Sequence, residues 1–112
     1  RVYLLDAFTI MPNHSHVVFK PLPARTEKNP EAESFRSLAS IMQSLKGFTS
    51  HECNRLLRRE GAFWAHESFD HYIRNHEEWM RIVRYVLNNP VKSGYVSHWQ
   101  EWKGNYRRPD AN

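Results

Sequence analysis

Two β-forming runs joined by a proline turn constrain this chain more than any other feature. Residues 2–11 read VYLLDAFTIM, short and rich in β-formers, which suits a buried strand. Residues 14–20 read HSHVVFK and suit a second strand. Between them, Met11-Pro12-Asn13 has turn chemistry, and Pro12 has no N–H to give to a sheet ladder. The expected product is a tight hairpin. Residues 21–33, PLPARTEKNPEAE, follow with three prolines and almost nothing to bury, the mark of a surface loop.

From Ser34 the pattern becomes helical. Phe35, Leu38, Ile41, Met42 and Leu45 recur at spacings of three and four. Gly47 is expected to interrupt the run. A second helical stretch, with Cys53, Leu56 and Leu57, is expected to end on a Gly61 cap. The aromatic-rich residues 62–73, AFWAHESFDHYI, are expected to hold one or two short strands. Residues 77–88 give the clearest helix. Glu77 and Glu78 favour its dipole, and Pro90 is expected to stop it. The tail from Val91 is expected to be short and to fray at its RRPDAN end.

His14 and His16 are separated by one residue. On a strand they share a face with Val18, while Ser15, Val17 and Phe19 share the other. The second face is expected to pack on helices, leaving both imidazoles to project together. Alternate strand positions lie roughly 6.5–7 Å apart. From there two imidazole nitrogens can converge on one metal ion at about 2.0–2.2 Å. A His-x-His alone is a short signal in a chain with seven histidines, so a third ligand and a reacting group are needed.

On a helical wheel, Trp79, Met80, Ile82, Val83, Val86 and Leu87 gather in one apolar sector. Tyr85 falls outside its centre, beside Arg81, Asn88 and Asn89. Tyr85 and Asn89 are related by i,i+4 and so share a face. One reading of Tyr85 is a nucleophile. A phenol of pKa about 10 then needs a cation or base to stabilise its phenolate. The other reading is an ordinary half-buried surface tyrosine, and the wheel taken alone favours it, since an amphipathic helix needs no function to explain it. Asn89 is a candidate third metal ligand, because an amide oxygen suits a hard cation such as Mg²⁺ or Mn²⁺. Asn89-Pro90 also reads as a helix terminator.

Composition sets outer limits. The 112 residues fit one domain. A net charge of +4 suits a polyanionic partner without demanding one. Cys53, alone, excludes a disulfide within the chain and makes a cytoplasmic setting the expectation. No apolar run reaches the ~18 residues of a membrane span, and no signal peptide is visible.

Met11-Pro12-Asn13-His14-Ser15-His16 resembles the MPNH-x-H signature of single-tyrosine transposases of the His-hydrophobic-His class, and in particular of their REP-associated branch. Leu45-Lys46-Gly47, Gly61-Ala62-Phe63-Trp64, Ile73-Arg74 and the run from Tyr85 to Gly94 (YVLNNPVKSG) are similar to further motifs of that family, in its order. The resemblance implies an α+β fold with a ferredoxin-like antiparallel sheet, helices packed on it, and the catalytic tyrosine on a C-terminal helix lying over a metal site. It implies that His14 and His16 bind the metal, that Asn89 completes the set, and that Tyr85 is the catalytic residue. The implied activity is metal-dependent cleavage and rejoining of single-stranded or hairpin DNA through a 5′-phosphotyrosine. Lys46, Arg74, Arg81, Arg84 and Lys92 are candidate phosphate contacts, although each taken singly reads more readily as a solvated surface charge. Trp64, Tyr72 and Trp79 have the shape to stack on bases, although a core role is expected of each.

Two departures from the family pattern stand out. Ser15 occupies a position that is usually bulky and apolar, and it is expected to face the interior. An N-terminal strand is expected ahead of Arg1, and the whole chain is read as one catalytic domain. A homodimer, with Tyr85 serving either protomer, is left open. The alternatives are a catalytically silent DNA-binding domain of the same fold and a phosphohydrolase that uses water.

Overall fold

The computed structural model describes residues 3–23, 27–31, 35–65 and 69–109. The chain forms two compact units, one of residues 1–2 and 21–71, the other of residues 3–20 and 72–112. Its class is α+β, with an antiparallel sheet and the tyrosine helix packed against it.

The second unit holds the hairpin. Strands β1 (Tyr3–Ile10) and β2 (Ser15–Pro21, whose last residue falls in the first unit) flank the proline turn, closed by the Met11 N–H on the His14 carbonyl at 2.8 Å. A third strand, β3 (Asn105–Arg107), pairs antiparallel with β1, opposing Ala7 to Arg107, Phe8 to Tyr106 and Thr9 to Asn105. The sheet order is β2-β1-β3, so β1 is central.

The tail is therefore no frayed end over its described length. A 3₁₀ turn at Trp99–Glu101 leads into β3. Gly104 lets the two backbones meet there: a Cβ at this position would stand 2.6 Å from the Ile10 carbonyl oxygen. Beyond β3, Arg108 grips the buried Asp6 carboxylate at 2.8 Å while its N–H bonds the Asp6 carbonyl. Residues 110–112 lie outside the described residues.

Helix α2 (His76–Lys92) packs on β1 through Val83, Val86 and Leu87, which form a core with Ala7 and Val18. Asn75 caps its start by accepting the Glu78 N–H at 2.8 Å. Pro90 does not stop it. The proline sits in the last turn, where its missing N–H costs one bond only, and the helix runs on to Lys92. The true stop is Gly94, at φ +82°. Its N–H bonds the Val91 carbonyl and the Tyr95 N–H bonds the Pro90 carbonyl, both at 3.0 Å, a Schellman closure.

The first unit holds α1 (Leu38–Leu57), one continuous helix that Gly47 does not interrupt. Glycine in a helix costs about 1 kcal/mol relative to alanine, too little to break one of 20 residues. Ser37 caps its start, its hydroxyl accepting the Ser40 N–H. Its left-handed closing residue is Arg58 (φ 54°), three positions before the expected Gly61.

Residues 62–65 and 69–73 form no strand. Side chains of α1 and its end serve part of this segment instead: Asn54 donates to the Gly61 carbonyl, Arg59 to that of Ala62, and the Trp64 indole donates to Thr49. Ser34, the expected helix start, and residues 24–26, 32–33 and 66–68 lie outside the described residues. Among the described residues no helix is long and apolar enough to cross a membrane.

Candidate active site

Strand parity places the histidines, with the faces the reverse of the expected arrangement. Val18 is buried among Val83, Val86 and Leu87 of α2. The face shared by His14, His16 and Val18 is thus the one that α2 covers. Ser15 is exposed instead of interior, and on its face Phe19 packs on Tyr3 with ring centroids 5.4 Å apart. Alternation fixed which residues travel together; the docking of α2 chose the side.

His14 and His16 stand edge to face, with centroids 5.2 Å apart and planes at 82°. His16 in turn meets the Tyr85 ring at 5.8 Å and 71°. A phenol from the helix and two imidazoles from the strand therefore form one row. Tyr85 is 55% exposed, so its ring borders His16 while remaining open to solvent.

The electrostatics favour a neutral imidazole at His16. Burial pushes the His16 pKa below its usual 6.5, and the neighbouring His14 lowers it further. His14 Nδ1 lies 2.8 Å from the Asn13 side-chain oxygen. An amide oxygen accepts, so His14 Nδ1 is the donor in this pairing.

A groove beside Tyr85 is lined by Arg81, Arg84, Asn88, Asn89 and Lys92. They recur every three or four residues and so share one side of α2. Arg81 is also held loosely by Glu78, 3.7 Å away on the surface. The groove collects three cations around an exposed phenol, a setting that can hold an anion. Lys46 lies in the other unit, where its ammonium donates to the Ala65 carbonyl at 3.5 Å. Arg74 precedes α2 and is exposed, outside the groove. Trp64 also belongs to the other unit, Tyr72 is exposed, and Trp79 is half-buried with its indole donating to Asp6 at 3.0 Å.

Asn13 and Asn88 were not singled out by the sequence reasoning. The signal for Asn13 was its place in the turn next to His14. For Asn88 it was a spacing of three from Tyr85.

Among the described residues no three His, Cys, Asp or Glu side chains cluster as a metal site, so a third protein ligand beside the imidazoles would have to be of another type. Asn89, half-buried one turn beyond Tyr85, has such an oxygen. Two imidazoles bound tetrahedrally at about 2.1 Å have centroids roughly 5 Å apart, and the observed pair meets that spacing.

No family model matches the chain. A "Putative REP-associated tyrosine transposase" of Haemophilus influenzae is 27% identical over 96 residues, covering 86% of this chain and 54% of the relative. A "REP-associated tyrosine transposase" of Escherichia coli K12 is 26% identical over 102 residues, covering 91% of this chain and 53% of the relative. The chain is a homologue of the REP-associated tyrosine transposases. It spans about half the length of the curated relatives it matches. A solved REP-associated tyrosine transposase bound to a REP hairpin shares the fold: TM-score 0.72 and 22% identity, over 94% of this chain and 55% of that one. The MPNHSH turn, the tyrosine and the NPVKSG helix end all lie within the second unit of this transposase homologue.

Proposed function

We propose that the chain carries the cleavage site of a single-stranded DNA endonuclease and strand transferase, with Tyr85 as nucleophile. The row His14–His16–Tyr85, two imidazoles and an exposed phenol within ring contact, is the observation that supports it. The substrate class is single-stranded or hairpin DNA, in keeping with the REP hairpin bound by the structural neighbour.

The chain's own residues have defined parts. Arg81, Arg84 and Lys92 draw the phosphate backbone into the groove. The Tyr85 oxygen attacks phosphorus and forms an O–P bond as the bond from phosphorus to the 3′ oxygen breaks. The phenolic proton is lost, and the departing 3′ oxygen gains one from solvent. A 5′-phosphotyrosine and a free 3′-hydroxyl result. The link keeps a phosphodiester's energy, so a later 3′-hydroxyl can reverse the step and join strands. Asn13, its side-chain oxygen 2.8 Å from His14 Nδ1, orients the His14 ring. A divalent ion, Mg²⁺ or Mn²⁺, held by His14, His16 and Asn89 would supply Lewis-acid polarisation of the scissile phosphate.

The test is covalent capture. Incubated with labelled single-stranded or hairpin oligonucleotides and Mn²⁺, the chain is expected to give a protein–DNA adduct on a denaturing gel. Tyr85→Phe is expected to abolish the adduct and keep DNA binding. Cleavage without adduct would instead assign water as nucleophile. Binding with neither would assign a silent DNA-binding domain.

A further inference from the structure

Strand β1 ends where the MPNHSH turn begins, and the strand end is tied from both sides. Along a strand, successive residues turn their backbone groups to opposite neighbours. Met11 gives its N–H to the His14 carbonyl and so closes the turn on the β2 side. Ile10, one residue earlier, gives both of its groups to the β3 side. Its N–H bonds the Gly104 carbonyl at 2.8 Å, and its carbonyl accepts the Trp102 indole N–H at 2.9 Å. The Ile10 side chain is 54% exposed, so packing does little to fix this residue.

Trp102 is anchored in turn at the end of α2. Its ring stacks on Tyr95, with centroids 5.3 Å apart and planes at 30°. Tyr95 follows Gly94, and its N–H bonds the Pro90 carbonyl in the Schellman closure. Asn89 directly precedes that proline, and its own carbonyl accepts the Ser93 N–H at 3.0 Å. A run of contacts through Tyr95, Trp102 and Ile10 therefore joins the last turn of α2 to the strand end that leads into His14, all within the second unit. The fit leaves no slack. A Cβ at Gly104 would meet the Ile10 carbonyl oxygen at 2.6 Å and the Trp102 indole nitrogen at 2.9 Å.

We propose that Trp102 is a positioning residue: with Tyr95 it braces the MPNHSH turn against the end of α2 and so fixes His14 relative to Asn89. The inference rests on the proposed function and adds to it the residue that sets the spacing of two of its metal ligands. The core does not set that spacing by itself. Val83, Val86 and Leu87 hold α2 over Ala7 and Val18, within the strands. Pro12, Asn13 and His14 stand beyond them and are exposed. The Trp102–Ile10 bond is exposed as well, so water replaces a missing indole and the fold survives its loss. What disappears is the tether on the turn.

The test compares two indoles. Trp102→Phe keeps a ring beside Tyr95 and removes the N–H. Trp64→Phe removes the 2.8 Å bond to Thr49 in the other unit and serves as the control. The first readout needs neither metal nor cleavage: ¹⁵N relaxation of the metal-free chain, well below its melting temperature. The order parameters of the Asn13 and His14 amides are expected to fall from about 0.85 to below about 0.6 in Trp102→Phe and to stay unchanged in Trp64→Phe. Gly104→Ala, which wedges the carbonyl from an intact indole, is expected to loosen the same two amides. A turn as rigid in Trp102→Phe as in the wild type, or already mobile in the wild type, would overturn the inference.

The second readout is Mn²⁺ binding. Trp102→Phe is expected to raise the Kd about tenfold, as loss of a group that orients a ligand does, and Trp64→Phe less than about twofold. Adduct formation by Trp102→Phe is expected to recover at correspondingly higher Mn²⁺. A wild-type Kd kept by Trp102→Phe would also overturn the inference. Should the wild type take up no Mn²⁺, the mobility of the turn decides alone. An adduct from the wild type with a rigid turn in Trp102→Phe would sink the brace and leave Tyr85 cleavage standing. A loosened turn with no adduct from the wild type would support the brace and sink the cleavage reading.

Discussion

The two helices differ in what their apolar residues accomplish. Helix α1 is longer, 20 residues against 17, yet it buries one side chain, Ile41, and leaves Phe48, Leu56 and Leu57 64–70% exposed. Helix α2 buries Val83, Val86, Leu87 and Pro90 and still presents Tyr85 to solvent. Their ends differ as well. The left-handed closing position is Gly94 in α2 and Arg58, with a Cβ to accommodate, in α1. An apolar stripe at helical spacing shows that a helix has a face; whether that face anchors anything depends on what covers it. The candidate chemistry sits on the anchored helix, where a buried stripe on one side holds a reactive group steady on the other.

The sharpest way to break this comparison is to truncate one leucine in each helix. Leu87→Ala removes a side chain from the core and is expected to cost about 2–5 kcal/mol, read by urea denaturation. Leu56→Ala is expected to stay within about 0.5 kcal/mol, because its side chain is already in water. Equal costs would show that α1 is as well anchored as α2. The helix ends give a smaller, paired effect. Gly94→Ala is expected to destabilise and Arg58→Gly to stabilise, each by about 1 kcal/mol, because alanine strains at positive φ and glycine does not.

The smallest effect is on pH dependence, and it belongs to the strand that α2 covers. The folded pKa of His16 is depressed, so the unfolded chain takes up its proton first as the pH falls. The stability tied to neutral His16 is present above pH 6.5 and is lost as the pH falls through the lower folded value. Melting temperature is expected to decline from pH 7 toward pH 5, and less steeply in His16→Asn. The Glu52–Arg55 pair of α1 lies on the surface and adds nothing comparable.

Local periodicity made the hairpin, α2 and the grouping of His14 with His16 readable in the sequence. Period two and period 3.6 depend on near neighbours only. The side of β2 that faces α2 could not be read, because Val17, Val18 and Phe19 are all apolar and only the docked helix decides among them. Strand β3 was invisible for a related reason. Three residues, Asn105-Tyr106-Arg107, carry no pattern, and partners about a hundred positions away, Asp6 and Ile10, hold the segment in place. The end of α2 was misjudged because Pro90 looks like a stop unless its place in the last turn is known. The Schellman bonds through Gly94 appear only in three dimensions. At the candidate site, the parts were legible and their convergence was not, since nothing local brings Tyr85 to His16.

Paramagnetic relaxation by Mn²⁺ measures that convergence most directly. Titrated into the ¹⁵N,¹³C-labelled chain at neutral pH, the ion is expected to broaden the ring signals of His14, His16 and Tyr85 and the side-chain amide of Asn89 together, at one stoichiometric equivalent, and to leave Leu56 sharp. Broadening of the two histidines while Tyr85 and Asn89 remain sharp would contradict a shared site.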